Sequence, residues 1–186
     1  MLDLDLSAFP VLVTPRLTLR QVTMADAAAL HRLRSDERTM RYIGRPRSSA
    51  ITDSEALVQR LEDERSRNEG IGWAIEGHKT PGLIGTIGFY RLKKEHYRGE
   101  VGYVLDPDHW GKGFMQEALD AVIRCGFERF GFHSIEANTD PRNTPSRALL
   151  ERCGFVLEGL LKENYYFQGA FLDTAVYSLL RSKVRP

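Results

Sequence analysis

The chain has 186 residues, of which 42% are hydrophobic and 27% charged, so it is long enough to bury the core of one domain. Its 26 basic and 25 acidic side chains nearly cancel to a formal charge of +1, which argues against nucleic acid and anionic membranes as partners. The two cysteines, Cys125 and Cys153, form no C-x-x-C pair, so neither a metal site nor a disulfide framework is expected. The N-terminus lacks the basic residues of a signal peptide, so a cytoplasmic protein is expected.

The first predicted elements alternate between strand and helix. The segment "RLTLRQV" (16–22) predicts a strand, and Thr23 is placed to cap the helix that follows it. Thr52 and Glu55 have the spacing of a capping box, which predicts the start of a second helix that ends near Arg67. Both helices are amphipathic and are expected to cover a sheet.

From residue 72 onward the pattern changes to strands. The segments "GWAIEG", "GLIGTIGFYRL" and "EVGYVL" are separated by polar stretches and predict an antiparallel meander. A long helix is predicted from about Gly111 to Phe130, followed by a strand "SIEANT", a helix from Pro145 to Cys153 and the strands "FVLEGLLKENYY" and "FLDTAVYSLL". The predicted fold class is α+β. One domain spans residues 1–186, with an ordered core at about 10–183 and a mixed, mostly antiparallel sheet covered by helices.

The stretch "DPDHWGKGFMQ" joins the strand "EVGYVL" to the long helix and contains two glycines one residue apart. A helix N-terminus presents unpaired amide N–H groups and a partial positive charge, which suit a phosphate. Glycines let an anion approach those amides, although a G-x-G pair also occurs simply where a tight turn needs positive φ. The sequence is neither a P-loop nor a G-x-G-x-x-G fingerprint, so a different phosphate-binding turn is predicted.

The segment from Glu100 to Phe155 resembles the core of the GNAT acyl-CoA N-acetyltransferases. The chain is most similar to the branch that contains the ribosomal-protein N-terminal acetyltransferases (Rim type). The shared motifs are "TPRLTLR" (14–20), "WGKG" (110–113), "N-x-x-S" (143–146), "EG" (158–159) and "D-x-x-x-Y-x-L" (173–179). Trp110 and Met115 depart from the usual first and last residues of the turn in this family.

The resemblance implies that acetyl-CoA is the co-substrate and that no metal is needed. Its pyrophosphate is expected on the turn, and its pantetheine in a gap where the strand "EVGYVL" and the strand "SIEANT" splay apart. Two asparagines match cofactor-contacting positions of the family. The predicted cofactor-binding residues are Val104, Leu105, Trp110, Gly111, Lys112, Gly113, Phe114, Met115, Asn138, Asn143 and Ser146.

Acetylation of an amine requires a group that takes its proton. Glu100 lies on the strand that leads into the turn and matches a position that is often acidic in the family. The other interpretation of Glu100 is an ion pair with Arg91 or Arg98. Glu163 is the second candidate base.

The leaving thiolate needs a proton or a hydrogen bond. Ser146 lies in the first turn of a helix and matches a serine that acts as general acid in relatives, although it could equally serve only as a capping side chain. Tyr165 and Tyr166 are alternatives, and because they are adjacent on a strand only one can face the cleft. Direct attack in a ternary complex is favoured over a cysteine acyl-enzyme, since neither cysteine has a neighbouring histidine.

The resemblance implies an N-acetyltransferase that acts on a primary amine. The α-amine of a peptide N-terminus is favoured over lysine or an aminoglycoside, with an acidic group near that amine to match Arg41, Arg45 and Arg47. The expected partners are acetyl-CoA, the amine acceptor and a second copy of the chain in a homodimer. The alternatives are a catalytically idle acyl-CoA sensor and an RNA-binding module.

Overall fold

The computed structural model describes residues 1–183, so the last three residues of the predicted domain lie outside the described residues. Within these residues five α-helices flank one sheet: α1 (Ala27–Ser35), α2 (Glu37–Met40), α3 (Ile51–Ser66), α4 (Phe114–Arg124) and α5 (Thr144–Arg152). The strands are β1 (Leu12–Val13), β2 (Leu17–Gln21), β3 (Ile71–Gly77), β4 (Thr80–Lys93), β5 (Arg98–Leu105), β6 (Ser134–Thr139), β7 (Val156–Phe167) and β8 (Ala170–Leu180). This confirms the predicted α+β class.

The eight strands form one sheet in the order β1-β2-β3-β4-β5-β6-β8-β7. The pairs within residues 1–183 are antiparallel except for β5 and β6, which run parallel. Pairing between β5 and β6 covers only three positions, the last of which joins Glu100 to Glu136. Because β5 continues to Leu105 and β6 to Thr139, the two strands separate beyond that pair. The predicted strand splay is therefore present.

The two faces of the sheet are buried by different helices. On one face α4 packs its apolar stripe, which includes the buried Leu119, against Trp73 and Phe89. On the other face α1 and α3 bury a smaller cluster around Leu30 and Val58. Leu2, Leu4 and Leu6 are also buried, so the core begins before the predicted boundary at residue 10. No helix within residues 1–183 is long and apolar enough to cross a bilayer.

Two predicted helix boundaries are wrong. Helix α3 begins at Ile51, and the carboxylate of Asp53 accepts hydrogen bonds from the backbone N–H groups of Ser49 and Ala50 at 2.7 and 3.2 Å. The predicted capping box of Thr52 and Glu55 is therefore replaced, because Asp53 in the first turn of the helix binds the donors before it. The long helix is also shorter than predicted, since Gly111 to Gly113 stay outside α4 and residues 125–129 form a π-helical turn.

Candidate active site

The splay between β5 and β6 opens into a cavity of about 560 Å³. Its walls come from α1, the loop between α2 and α3 (residues 41–50), α3, β3 to β6 and α5. The lining therefore includes residues from both faces of the sheet, Arg60 on the α3 side and Ser146 on the α5 side. On the side facing β6, the backbone of β5 beyond Glu100 is unpaired by any strand. The cavity thus gives two molecules access to the same strand edge from opposite faces.

The glycine turn follows β5 after a short 3-10 helix at Pro107–His109. Gly111 and Gly113 both have positive φ, at 70° and 76°, which a residue with a side chain rarely adopts. A Cβ built on Gly111 would have no heavy atom within 4 Å, so the space above this residue is open. Within residues 1–183, no protein group accepts a hydrogen bond from the amides of 111–116. These amides lie immediately before and within the first turn of the 11-residue helix α4, where the helix dipole favours an anion.

Arg16 holds the turn in place and was not singled out by the sequence. Its Nη1 donates to the carbonyl oxygen of Lys112 at 2.8 Å, and its Nε donates to Oε2 of Glu117 at 2.6 Å. The guanidinium also lies 4.6 Å from the centre of the Phe114 ring. Thr14 donates to the same glutamate at 2.6 Å. The "TPR" motif ahead of β2 therefore positions the first turn of α4.

Seven of the predicted cofactor residues do not line the cavity, namely Leu105, Trp110 and the five residues from Gly111 to Met115. Lys112 donates from Nζ to the carbonyl of Asp108 at 2.7 Å, and Trp110 donates from Nε1 to the carbonyl of Leu105 at 2.8 Å. The side chains of Leu105 and Met115 are buried in the core beside α4. At Leu105 and Met115 only the backbone can meet a ligand, while Lys112 adds positive charge beside the turn.

The other predicted cofactor residues lie along the splay. Val104, Asn138 and Asn143 line the cavity, and the Asn143 side chain caps α5 by accepting from the amide of Ser146 at 3.3 Å. Asn138 donates from Nδ2 to Glu136 at 2.7 Å, but its buried Oδ1 has no hydrogen-bond partner within residues 1–183. A buried carbonyl oxygen needs a donor. An amide-containing ligand in the gap would supply that donor.

These features fit the cofactor that the sequence predicts. The unpartnered amides and the open space at Gly111 suit a pyrophosphate, and the orphaned oxygen of Asn138 suits a chain that carries amide N–H groups, as pantetheine does. Among residues 1–183, no group of three histidine, cysteine or acidic side chains is arranged to hold a metal ion.

Glu100 lies at the base of the splay, where pairing between β5 and β6 ends. It is buried and accepts hydrogen bonds from the hydroxyl of Tyr90 at 2.9 Å and from Nη1 of Arg91 at 3.2 Å. Burial, and then the charge of Glu100, raise the pKa of Tyr90 well above its usual value, so its hydroxyl stays a donor. The predicted ion pair with Arg91 is thus present, and it holds the Glu100 carboxylate in a defined position.

Ser146 faces β5 across the cavity. Its hydroxyl lies 2.8 Å from the hydroxyl of Tyr103, so a strand residue and a helix residue meet at the gap. Burial raises the pKa of Tyr103 to about 12, which keeps its phenol protonated near neutral pH. Tyr103 was not predicted as a site residue. The sequence feature that could have identified Tyr103 is its position on the strand two residues before Leu105, on the face opposite Glu100.

The structure does not bring the second candidates into the cavity. Glu163 is exposed on β7 with a φ of 48°, and its amide donates to Asp173 at 2.9 Å. The Tyr165 hydroxyl donates to the carbonyl of Gly44, which ties β7 to the loop between α2 and α3. Tyr166 packs against Phe171, and 62% of the residue is exposed. Of the predicted catalytic residues, Ser146 lines the cavity, whereas Glu100 lies at the base of the splay and lines an adjoining pocket of about 130 Å³ that shares Arg91 and Asn138 with it.

Comparison with known proteins agrees with this geometry. Residues 16–156 match the family model described as acetyltransferase (GNAT) domain. YoaA, an uncharacterized N-acetyltransferase of Bacillus subtilis strain 168, is 38% identical over 175 residues, which is 94% of this chain and 99% of that protein. The spermidine N(1)-acetyltransferase of Vibrio cholerae is 26% identical and covers 90% of this chain and 95% of its own length.

The chain is also similar to a solved structure that contains a cofactor. Mycobacterium smegmatis RimJ in complex with CoA-disulfide superposes with a TM-score of 0.84 at 26% identity, covering 96% of this chain and 91% of that one. With a family model matched over residues 16–156 and a relative 38% identical along almost its whole length, the chain belongs to the GNAT acetyltransferase family and is an acetyl-CoA-dependent N-acetyltransferase.

Proposed function

We propose that this enzyme transfers the acetyl group to the α-amine of a peptide or protein N-terminus by direct attack in a ternary complex. The observation that carries the proposal is the buried carboxylate of Glu100 at the base of the splay, held by Tyr90 and Arg91. A free α-amine has a reference pKa of about 7.7 to 8.0, whereas that of lysine is about 10.4. A carboxylate assists the first amine near neutral pH more readily than the second.

The proton movements are assigned to side chains on opposite faces of the sheet. Glu100 lies on the face covered by α1 and α3, and it takes the proton of the attacking amine directly or through water. Ser146 and Tyr103 lie on the face covered by α4 and α5, and their hydroxyl pair supplies a hydrogen bond to the leaving sulfur. When bound, acetyl-CoA supplies the acetyl group as a thioester. Strand β5 carries Glu100 and Tyr103 on opposite faces, so the sheet separates the proton acceptor from the hydrogen-bond donors.

The cysteines do not favour an acyl-enzyme. Burial raises the pKa of Cys125 to about 11, and burial together with the charge of Asp120 raises the pKa of Cys153 to about 12. A nucleophilic cysteine needs the thiolate, whose formation such values suppress near neutral pH. This supports direct transfer from acetyl-CoA to the amine.

A comparison of acceptors tests the proposed substrate. The enzyme is incubated with acetyl-CoA and, in separate reactions, a peptide with a free N-terminus, the same peptide blocked at its N-terminus but containing lysine, spermidine and an aminoglycoside. We expect acetyl incorporation, followed by mass, to be at least roughly tenfold faster on the free N-terminus, since its amine is the most readily deprotonated. Preferential modification of spermidine or the aminoglycoside would contradict the proposal.

The homodimer and the cytoplasmic location stay predictions. The surface on which a second copy would be sought is the hairpin of β7 and β8, where several large apolar side chains are exposed: Val156, Leu160, Leu161, Tyr166 and Phe171.

A further inference from the structure

Three arginines from three different elements line one end of the cavity. Arg34 belongs to α1, Arg45 to the loop between α2 and α3, and Arg60 to α3. Arg60 lies 3.8 Å from the carboxylate of Glu64. Within residues 1–183, the guanidinium groups of Arg34 and Arg45 have neither a carboxylate within 4 Å nor a hydrogen-bond acceptor. This end of the cavity therefore carries unbalanced positive charge.

Of the three arginines only Arg34 is partly removed from solvent, whereas Arg45 and Arg60 are exposed. Burial, and after it the charges of Arg45 and Arg60, lower the pKa of Arg34 from its ordinary value. A partly buried cation that has other cations beside it is unfavourable unless an anion balances it. The other carboxylate at this end, Glu69, is paired with Arg67 at 2.8 Å. The protein thus leaves a place for a negative group that it does not itself supply.

Of the three arginines that the sequence pointed out, only Arg45 lines the cavity. Arg41 lies over the ring of Tyr42, 5.3 Å from its centre, and Arg47 lies 3.5 Å from Glu37. The sequence missed Arg34 and Arg60, because their convergence with Arg45 depends on how α1 and α3 pack. Arg41 and Arg47 provide matched controls, since both are charged and neither lines the cavity.

The three arginines line the same cavity as Tyr90, which donates a hydrogen bond to the proposed base Glu100. The charge of Arg45 acts on Tyr90 and lowers its pKa against the effect of burial, and Tyr90 donates directly to Glu100. An amine at Glu100 therefore lies within electrostatic reach of this cluster. A neighbouring cation on the acceptor would be repelled there, and a neighbouring carboxylate would be attracted.

We propose that the acceptor carries a carboxylate a few atoms from its reactive amine, and that Arg34 and Arg45, with Arg60 beside them, bind it. The proposal rests on the proposed function and narrows its substrate class. A guanidinium binds a carboxylate through paired hydrogen bonds, which gives the acceptor orientation as well as affinity. The carboxylate can belong to an acidic residue of a peptide or to a free amino acid.

The test uses acceptors matched in everything but charge. Peptides with the same first residue carry aspartate, asparagine or lysine at the second position, and a free amino acid is compared with its amide. We expect kcat/KM to be at least roughly tenfold higher for aspartate than for lysine. If kcat/KM is also higher for the free amino acid than for its amide, the α-carboxylate is the recognised group. If kcat/KM changes only among the peptides, the recognised group is the acidic side chain. Either result supports the proposal.

The variants show whether the arginines cause the preference. Arg45→Gln and Arg34→Gln are expected to bring the ratio of kcat/KM for the aspartate and asparagine peptides close to one, whereas Arg41→Gln and Arg47→Gln keep it. Equal rates for the aspartate, asparagine and lysine peptides, or a preference that survives in both cavity variants, would overturn the inference and leave the proposed function standing. Failure to acetylate any α-amine would overturn both.

Discussion

Replacing Gly111 with valine is expected to weaken acetyl-CoA binding roughly 100-fold in a calorimetric titration. The new side chain would fill the open space over the turn, where nothing in the protein lies within 4 Å of a Cβ at this position. It would thereby keep the pyrophosphate oxygens from the unpartnered amides. Loss of two charge-assisted hydrogen bonds, at about 1.5 kcal/mol each, corresponds to a change of this size.

A second glycine separates this effect from backbone strain. Gly169, in the turn between β7 and β8, has a φ of 85° and also has nothing within 4 Å of a built Cβ. Gly169→Val therefore carries a similar cost for a side chain at positive φ, of the order of 2 kcal/mol, without touching the turn before α4. We expect both variants to lose similar stability and only Gly111→Val to lose affinity. Equal affinity in the two variants would refute the assignment of the turn.

Replacing Glu100 with glutamine is expected to lower kcat/KM about 100-fold at pH 6.5, in line with the usual contribution of a general base. Below the α-amine pKa of about 7.7 to 8.0 most of the acceptor is protonated, so the reaction depends on a group that removes the proton. Above roughly pH 9 the amine has lost its proton in solution, and the difference between the variant and the wild type should narrow. The full pH–rate profile of both proteins is the measurement.

Two further variants define what the Glu100 result means. Glu76→Gln removes a different strand-to-strand ion pair, in which Nε of Arg20 lies 2.6 Å from the Glu76 carboxylate outside the cavity, and should leave the profile unchanged. Ser146→Ala should lower the rate by a similar factor at every pH from 6 to 10, because its partner Tyr103 has a pKa of about 12 and does not titrate there. If the Glu100→Gln variant keeps the wild-type rate at every pH, Glu100 is not the general base.

The sequence predicted the elements of the fold well, because their apolar periodicity is local. The strand "SIEANT" coincides with β6, and the three segments of the meander fall within β3, β4 and β5. The boundary that failed at α3 depends on a single side chain, the Asp53 carboxylate that binds the amides before this helix. Two acidic residues, Asp53 and Glu55, lie near that start, and only the folded geometry selects one.

The candidate site was predicted only where a local motif marks it. The glycine turn was visible because two glycines stand between a strand and a helix. By contrast, the pairing of Arg16 with Glu117 joins residues 101 positions apart, and that of Tyr103 with Ser146 joins residues 43 apart. Such contacts follow from strand order and helix packing rather than from any local pattern. The acceptor side of the cavity was least visible, because its arginines converge from three elements that are separate in the sequence.

A structure of the enzyme with acetyl-CoA bound would show whether the splay and the turn together form the cofactor site. We expect the pyrophosphate on the amides between Gly111 and Met115, and the pantetheine in the gap between β5 and β6 with an amide N–H donating to Oδ1 of Asn138. Acetyl-CoA bound outside the gap, or with its pyrophosphate away from the turn, would contradict it.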